Sequence, residues 1–182
     1  MTSTTERTTP LIEVHERLGA TFTDFGGWRM PVRYASDLAE HHAVRQAAGI
    51  FDISHMAQFV ITGDDRDAFL DHALPANVSI LKLSRAKYTM VLAPDGGIID
   101  DLIVTRIRPD RVMVVANAGN RDAVRAALHE RAGGYAVEIE ESTNALIAVQ
   151  GPRAQEILEA TPELTHDDEL AARCDRRIQI RD

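Results

Sequence analysis

An α+β fold, with mostly antiparallel sheets and flanking helices, is predicted for this 182-residue chain by two observations. Strand-like runs outnumber helical ones. Their connections are also short, above all Pro94-Asp95-Gly96-Gly97 and Pro109-Asp110, and such connections join antiparallel neighbours. Hairpins therefore dominate, which argues against a doubly wound parallel sheet.

The elements follow in order. Thr9-Pro10 offers an N-cap and a proline at the first helical position, predicting a short helix over Leu11–Leu18. Residues 20–34, broken by Gly26-Gly27 and Met30-Pro31, read as extended segments with a tight bend. Ser36 caps a second helix, which Gly49 stops. Ala57–Thr62 reads as a strand, and Asp64–Leu74 as a helix turning Phe69, Leu70, Ala73 and Leu74 inward. Lys87–Ala93, Ile98–Arg106 and Arg111–Asn117 are three strands. A helix over Asn120–Arg131 carries Val124, Ala127 and Leu128 as its apolar stripe and ends at Gly133-Gly134. Tyr135–Glu140 and Ala145–Gln150 return as strands, and Gly151-Pro152 opens a last helix through Leu158. The Arg-rich tail from Leu170 has no closing strand pattern.

Composition excludes several classes. A net charge of −8 argues against a nucleic-acid binder, which needs clustered Lys and Arg. The lone Cys174 rules out an intrachain disulfide framework and fits a reducing compartment. The polar start has no apolar core of a secretory signal, and no apolar run is long enough to span a bilayer. A cytoplasmic protein without membrane or nucleic-acid partners is expected.

The informative chemistry lies in Gly96-Gly97-Ile98-Ile99-Asp100-Asp101. Successive strand side chains point to opposite faces, so Asp100 and Asp101 diverge. That divergence, with no further ligands at a recognisable spacing, argues against a metal site. Two readings remain open. A single buried aspartate holds a nitrogen-rich ligand or handles a proton within a dry pocket, or a carboxylate satisfies backbone N–H groups of the Gly96-Gly97 turn. Tyr88, on the preceding strand, is near the pair and can stack on a flat heterocycle or serve as an ordinary strand aromatic. Asn117 and Asn120 read first as helix caps. His41, His42 and His55 lack the spacing of a metal motif, and no G-x-G-x-x-G supports a nucleotide site.

Several ordered segments resemble the aminomethyltransferase of the glycine cleavage system, its T-protein. They are Thr9-Pro10-Leu11, Asp24-Phe25-Gly26-Gly27-Trp28 with Met30-Pro31, Glu40-His41-His42-Ala43-Val44-Arg45, Gly49 to Met56, Gly96 to Leu102, and Ala148-Val149-Gln150-Gly151-Pro152. The resemblance implies a transferase that takes an aminomethyl group from the lipoyl arm of a carrier protein. It releases ammonia and passes the one-carbon unit to tetrahydrofolate. It also implies that Asp101 is the catalytic residue facing the folate, that Tyr88 and Met56 line its pocket, and, less directly, that Asn117 does so too. Neither a metal nor a nucleotide is implied.

The family chain continues into an Arg-Thr-Gly-Tyr-Thr-Gly-Glu segment and further domains that this sequence lacks. The chain is therefore expected to be an N-terminal fragment, weakly active or inactive alone, completed in one reading by a second polypeptide. Residues 1–52 and 145–182 would form parts of a first, incomplete folate-binding domain, and 53–144 an α+β domain with an antiparallel sheet. Two alternatives share the fold: the folate domain of a dimethylglycine or sarcosine oxidoreductase, and a non-enzymatic folate-binding protein of the iron–sulfur maintenance type. The first carries a flavin domain, whose Rossmann fingerprint is not found in this sequence, and the second a Lys-Gly-Cys-Tyr segment, which is not found in it either.

Overall fold

The Pro94-Asp95-Gly96-Gly97 turn closes as its residue types require. Ala93 N–H donates to the Gly97 carbonyl at 2.7 Å and Gly96 N–H to the Ala93 carbonyl at 2.9 Å. Asp95 Oδ1 accepts from Gly97 N–H at 2.9 Å. Gly96 stands at φ +86°, a conformation that costs a side chain with Cβ. The chain leaves this turn as a hairpin.

The computed structural model describes residues 6–161. In chain order the elements are β1 (Arg7–Thr8), α1 (Ile12–Arg17), β2 (Thr21–Phe25), β3 (Trp28–Arg33), α2 (Asp37–Gln46) and β4 (Gly49–Asp52). They continue with β5 (Ala57–Thr62), α3 (Arg66–Ala73), β6 (Ala86–Leu92), β7 (Ile98–Arg108), β8 (Arg111–Ala116) and α4 (Arg121–Arg131). The last are β9 (Glu138–Glu141), β10 (Ile147–Gln150) and α5 (Ala154–Glu159). The fold is α+β, and every strand pairing except β1 with β3 is antiparallel. No described helix is long and apolar enough to cross a membrane. The readings of Leu170–Asp182 and Cys174 lie outside the described residues.

The chain divides into two units: residues 6–55 with 143–161, and residues 56–142. The second is built on the sheet β6-β7-β8-β5-β9. Alternation sorts its side chains. Leu102, Val104, Val112, Val114, Phe59 and Ile61 are fully or almost fully buried on one face. Against that face pack Phe69 and Leu70 of α3 and Val124 and Leu128 of α4. Each such side chain stabilises the unit by about 1.5–3 kcal/mol relative to exposure. Arg106 takes the same buried face, where an apolar residue would be expected. Its guanidinium donates to the carbonyls of Leu81 (2.6 Å) and Val78 (3.2 Å) and to Asp67 (2.9 Å), which offsets its desolvation.

In the first unit β2 and β3 form a hairpin around Gly26-Gly27, and β4 pairs with β10. A buried polar cluster links α1 to β4. The Asp52 carboxylate accepts from Thr9 Oγ1 (2.6 Å), His15 Nε2 (2.8 Å) and the Ser54 N–H (2.9 Å). His15 Nδ1 then faces the Tyr34 hydroxyl at 2.7 Å. Burial pushes the Asp52 carboxyl upward in pKa, but the hydrogen bonds from Ser54, Thr9 and His15 outweigh it and leave a net lowering. A lowered folded pKa stabilises the unit at pH values above the ordinary carboxylate range. That contribution disappears as pH falls through the folded value. Asp52→Ala should therefore cost about 1–3 kcal/mol near neutrality, and the deficit should shrink below about pH 4. Chemical denaturation at both pH values checks this; an unchanged deficit would reject it.

Three local expectations are corrected. Thr9 is not the N-cap of α1, which is Leu11 with no side-chain cap; the Thr9 hydroxyl accepts from the Leu11 N–H at 3.3 Å ahead of the helix and donates to Asp52. Gly49 begins β4 rather than ending α2, which stops at Gln46. Asn117 and Asn120 make no side-chain cap to the helical segment that follows. Ser36 does cap α2, accepting from Ala39 N–H.

Candidate functional site

Strand alternation separates the two aspartates as expected, and the structure fixes which is which. On β7, Asp100 shares the buried face with Leu102 and Val104 and is only 3% exposed, whereas Asp101 is exposed on the opposite face with Ile103 and Thr105. The β6–β7 register pairs Met90 with Asp101 and Tyr88 with Ile103, so Tyr88 stands diagonal to Asp101 on one face. The Tyr88 hydroxyl reaches across and donates to Asp101 Oδ2 at 2.7 Å. That bond, then desolvation and the nearby Asp101 and Asp100 charges, holds the phenol proton more tightly and raises its pKa.

Asn117 follows the last residue of β8, where Leu102 pairs with Ala116. There its side chain reaches both faces. Nδ2 donates to Asp101 Oδ1 at 2.8 Å and to Asp100 Oδ1 at 3.0 Å. The Asn117 backbone N–H donates to Asp100 Oδ2 at 2.8 Å, and Asn120 Nδ2 to Asp100 Oδ1 at 2.6 Å. The turn N–H groups go elsewhere than to Asp100 or Asp101: that of Gly97 to Asp95 Oδ1 and that of Gly96 to the Ala93 carbonyl.

Of the four residues singled out in the sequence, Asp101, Tyr88 and Asn117 thus form one hydrogen-bonded group. Met56 shares their end of the sheet rather than their network: it precedes Ala57, which pairs with Ala116. Met56 is half-buried, and its carbonyl accepts from Arg121 at 3.2 Å. Arg121 and Arg125 both bind Glu141 and lower its pKa against the opposing effect of burial. Sequence reasoning took Asn120 only for a helix cap and missed Arg121. The spacing Asn117-x-x-Asn120 behind a buried strand was the available signal for the first.

The face bearing Asp101 also carries Met90, Ile103, Met113 and Val115, all half-buried. An acceptor-rich carboxylate beside apolar and sulfur-bearing side chains suits a flat heterocycle with N–H donors. Among the described residues no group of three or more His, Cys, Asp or Glu is placed to hold a metal. His41 and His42 are exposed on α2, and His55 packs edge-on to Phe25 at 5.4 Å. In a depression lined by His72, Leu74 and Arg131, the Arg131 guanidinium donates to the carbonyls of Ala73 and Leu92.

A helix-backed antiparallel sheet with a paired-aspartate strand defines a recognisable class, and comparison with known proteins places it. The family model described as GCVT N-terminal domain matches residues 11–174. The aminomethyltransferase of Saccharopolyspora erythraea is 52% identical over 154 residues, 84% of this chain and 42% of that protein. That of Corynebacterium jeikeium is 51% identical over 152 residues, covering 82% and 39%. The crystal structure of glycine cleavage system aminomethyltransferase T from Bartonella henselae superposes with a TM-score of 0.81 at 43% identity, over 85% of this chain and 43% of that one. The chain belongs to the GCVT family. It spans about two fifths of the length of the curated relatives it matches.

Proposed function

We propose that this chain contributes to a tetrahydrofolate-dependent aminomethyltransferase of the glycine cleavage system, acting in the cytoplasm. The one-carbon unit passes from the aminomethyl-lipoyl arm of a carrier protein to tetrahydrofolate, and the nitrogen leaves as ammonia. Asp101 is the catalytic residue. Its carboxylate hydrogen-bonds the folate nitrogens and favours the charge that develops during transfer. Tyr88 and Asn117 border the folate, and the flexible thioether of Met56 packs against the pterin. No metal takes part.

The observation that supports this reading most is Asp101 itself. It is an exposed carboxylate with each oxygen already taking one donor, from Tyr88 and Asn117, so that its remaining lone pairs have a set direction. Family resemblance supplies the substrate, and the half-buried apolar side chains on the same face fit its flat ring. The parts of the relatives beyond this chain, or a second polypeptide that stands in for them, would complete the site. A partial site positions its substrate poorly and admits water. Titration of the chain with tetrahydrofolate is therefore expected to give a Kd weaker than about micromolar. Binding at or below that level would show that the chain suffices. Absence of binding even when the chain is joined to the remaining family length would reject the folate reading.

A further inference from the structure

The buried Asp100 has no role in the function just proposed, yet it takes more hydrogen bonds than Asp101. Its two oxygens accept from the Asn117 backbone N–H, Asn117 Nδ2 and Asn120 Nδ2, at 2.8, 3.0 and 2.6 Å. Asn117 is thus gripped twice by one carboxylate, through main chain and side chain. The amide has only one arrangement compatible with this grip. Carboxylate oxygens accept and the amide oxygen cannot donate, so a flipped Asn117 would set its oxygen against both Asp100 and Asp101. The flip is closed from two sides. With Nδ2 fixed, its second contact is Asp101 Oδ1 at 2.8 Å, and that leaves Asp101 Oδ2 turned to the Tyr88 hydroxyl at 2.7 Å.

We infer that Asp100 is a positioning residue, which acts through the Asn117 amide to fix the orientation of the Asp101 carboxylate, with Asn120 steadying Asp100. The chain of contacts runs from the buried face of the sheet to the exposed one, around the end of β8. Adjacent aspartates are used because alternation gives each a separate face, and one asparagine at the strand end bridges them. The importance of Asp101 orientation for transfer rests on the proposed function. The orienting device itself does not.

Tyr88 provides the readout, since it touches Asp101 but is not among the hydrogen-bond partners of Asp100. With ¹³Cζ-labelled tyrosine and Tyr88→Phe for assignment, the phenol titration is followed by NMR in the full chain. Asp100→Asn is expected to lower the Tyr88 midpoint by about half a pH unit or more, as Asp101 swings free. The lost Asp100 charge would also act directly through space, so the same substitution is repeated in an Asn117→Ala background. There its effect should largely vanish, because the connecting amide is gone. An equal drop in both backgrounds, or none in either, would overturn the proposal. Should Asp100→Asn fail to fold, Asn120→Ala decides: it keeps every charge, and an unchanged Tyr88 midpoint would overturn the role. In the unsubstituted chain the Asn117 side-chain amide should exchange about tenfold more slowly than that of exposed Asn77; equal rates would also count against it. No folate enters these measurements. A Tyr88 response without any folate binding would uphold the positioning role and defeat the folate reading alone.

Discussion

Asp101→Asn is expected to lower one-carbon transfer by about 10²- to 10⁴-fold in a protein that unites this chain with the remaining family length. Asp100→Asn should reduce it less, by about tenfold. The ranking follows from contact. Asp101 presents its carboxylate on the exposed face, whereas Asp100 is buried and reaches that face only through Asn117. Stability should rank in the opposite order. Removing an exposed carboxylate costs within about 0.5 kcal/mol. Neutralising a buried acceptor of three N–H groups should cost about 1–3 kcal/mol. Single-turnover formation of methylenetetrahydrofolate, measured beside urea denaturation of each variant, separates the two effects. A larger transfer loss in Asp100→Asn than in Asp101→Asn would reject the facing proposed here.

How far this arrangement could be read from sequence depends on the range of the contacts. The turn at Gly96-Gly97, the hairpin it closes and the stripe Val124, Ala127, Leu128 are local, and residue types alone specify them. Alternation likewise separates Asp100 from Asp101. It states only that they diverge, because the buried direction is set by which face α3 and α4 cover, a tertiary fact. The Asn117 misreading has the same origin. An asparagine before a helix is a good cap in isolation, because its side-chain oxygen can accept helix N–H groups, but a buried carboxylate 17 residues earlier in the chain holds Asn117 by its own N–H groups, and the amide oxygen makes no cap. Arg106 was hidden for the opposite reason: its strand position is apolar by pattern, and the three acceptors that make it tolerable arrive from segments 25 to 39 residues away.

Gly151→Ala should destabilise the first unit by about 2–5 kcal/mol, adding a left-handed backbone penalty of about 1–2 to an overpacking cost of about 1–3. Gly151 has φ +133°, and a Cβ built there would lie 2.5 Å from the Ala47 carbonyl oxygen and 2.7 Å from Ala48 Cα and the Val44 oxygen. These are backbone atoms at the C-terminal end of α2, so no side chain can swing aside. The crossing is also tied by a hydrogen bond from Arg153 N–H to that same Ala47 carbonyl at 2.9 Å. Gly19→Ala is the matched comparison in the same unit. Gly19 also has positive φ, but a Cβ there would meet nothing within 4 Å, so only the backbone penalty of about 1–2 kcal/mol applies. The single tryptophan, Trp28, is buried in the first unit and reports its unfolding by fluorescence. Equal losses in the two variants would show that α2 gives way and that close approach is not what requires glycine at position 151. A clearly larger loss for Gly151→Ala would assign the Gly151-Pro152 step to backbone packing between α2 and the turn into α5, a role independent of any chemistry at Asp101.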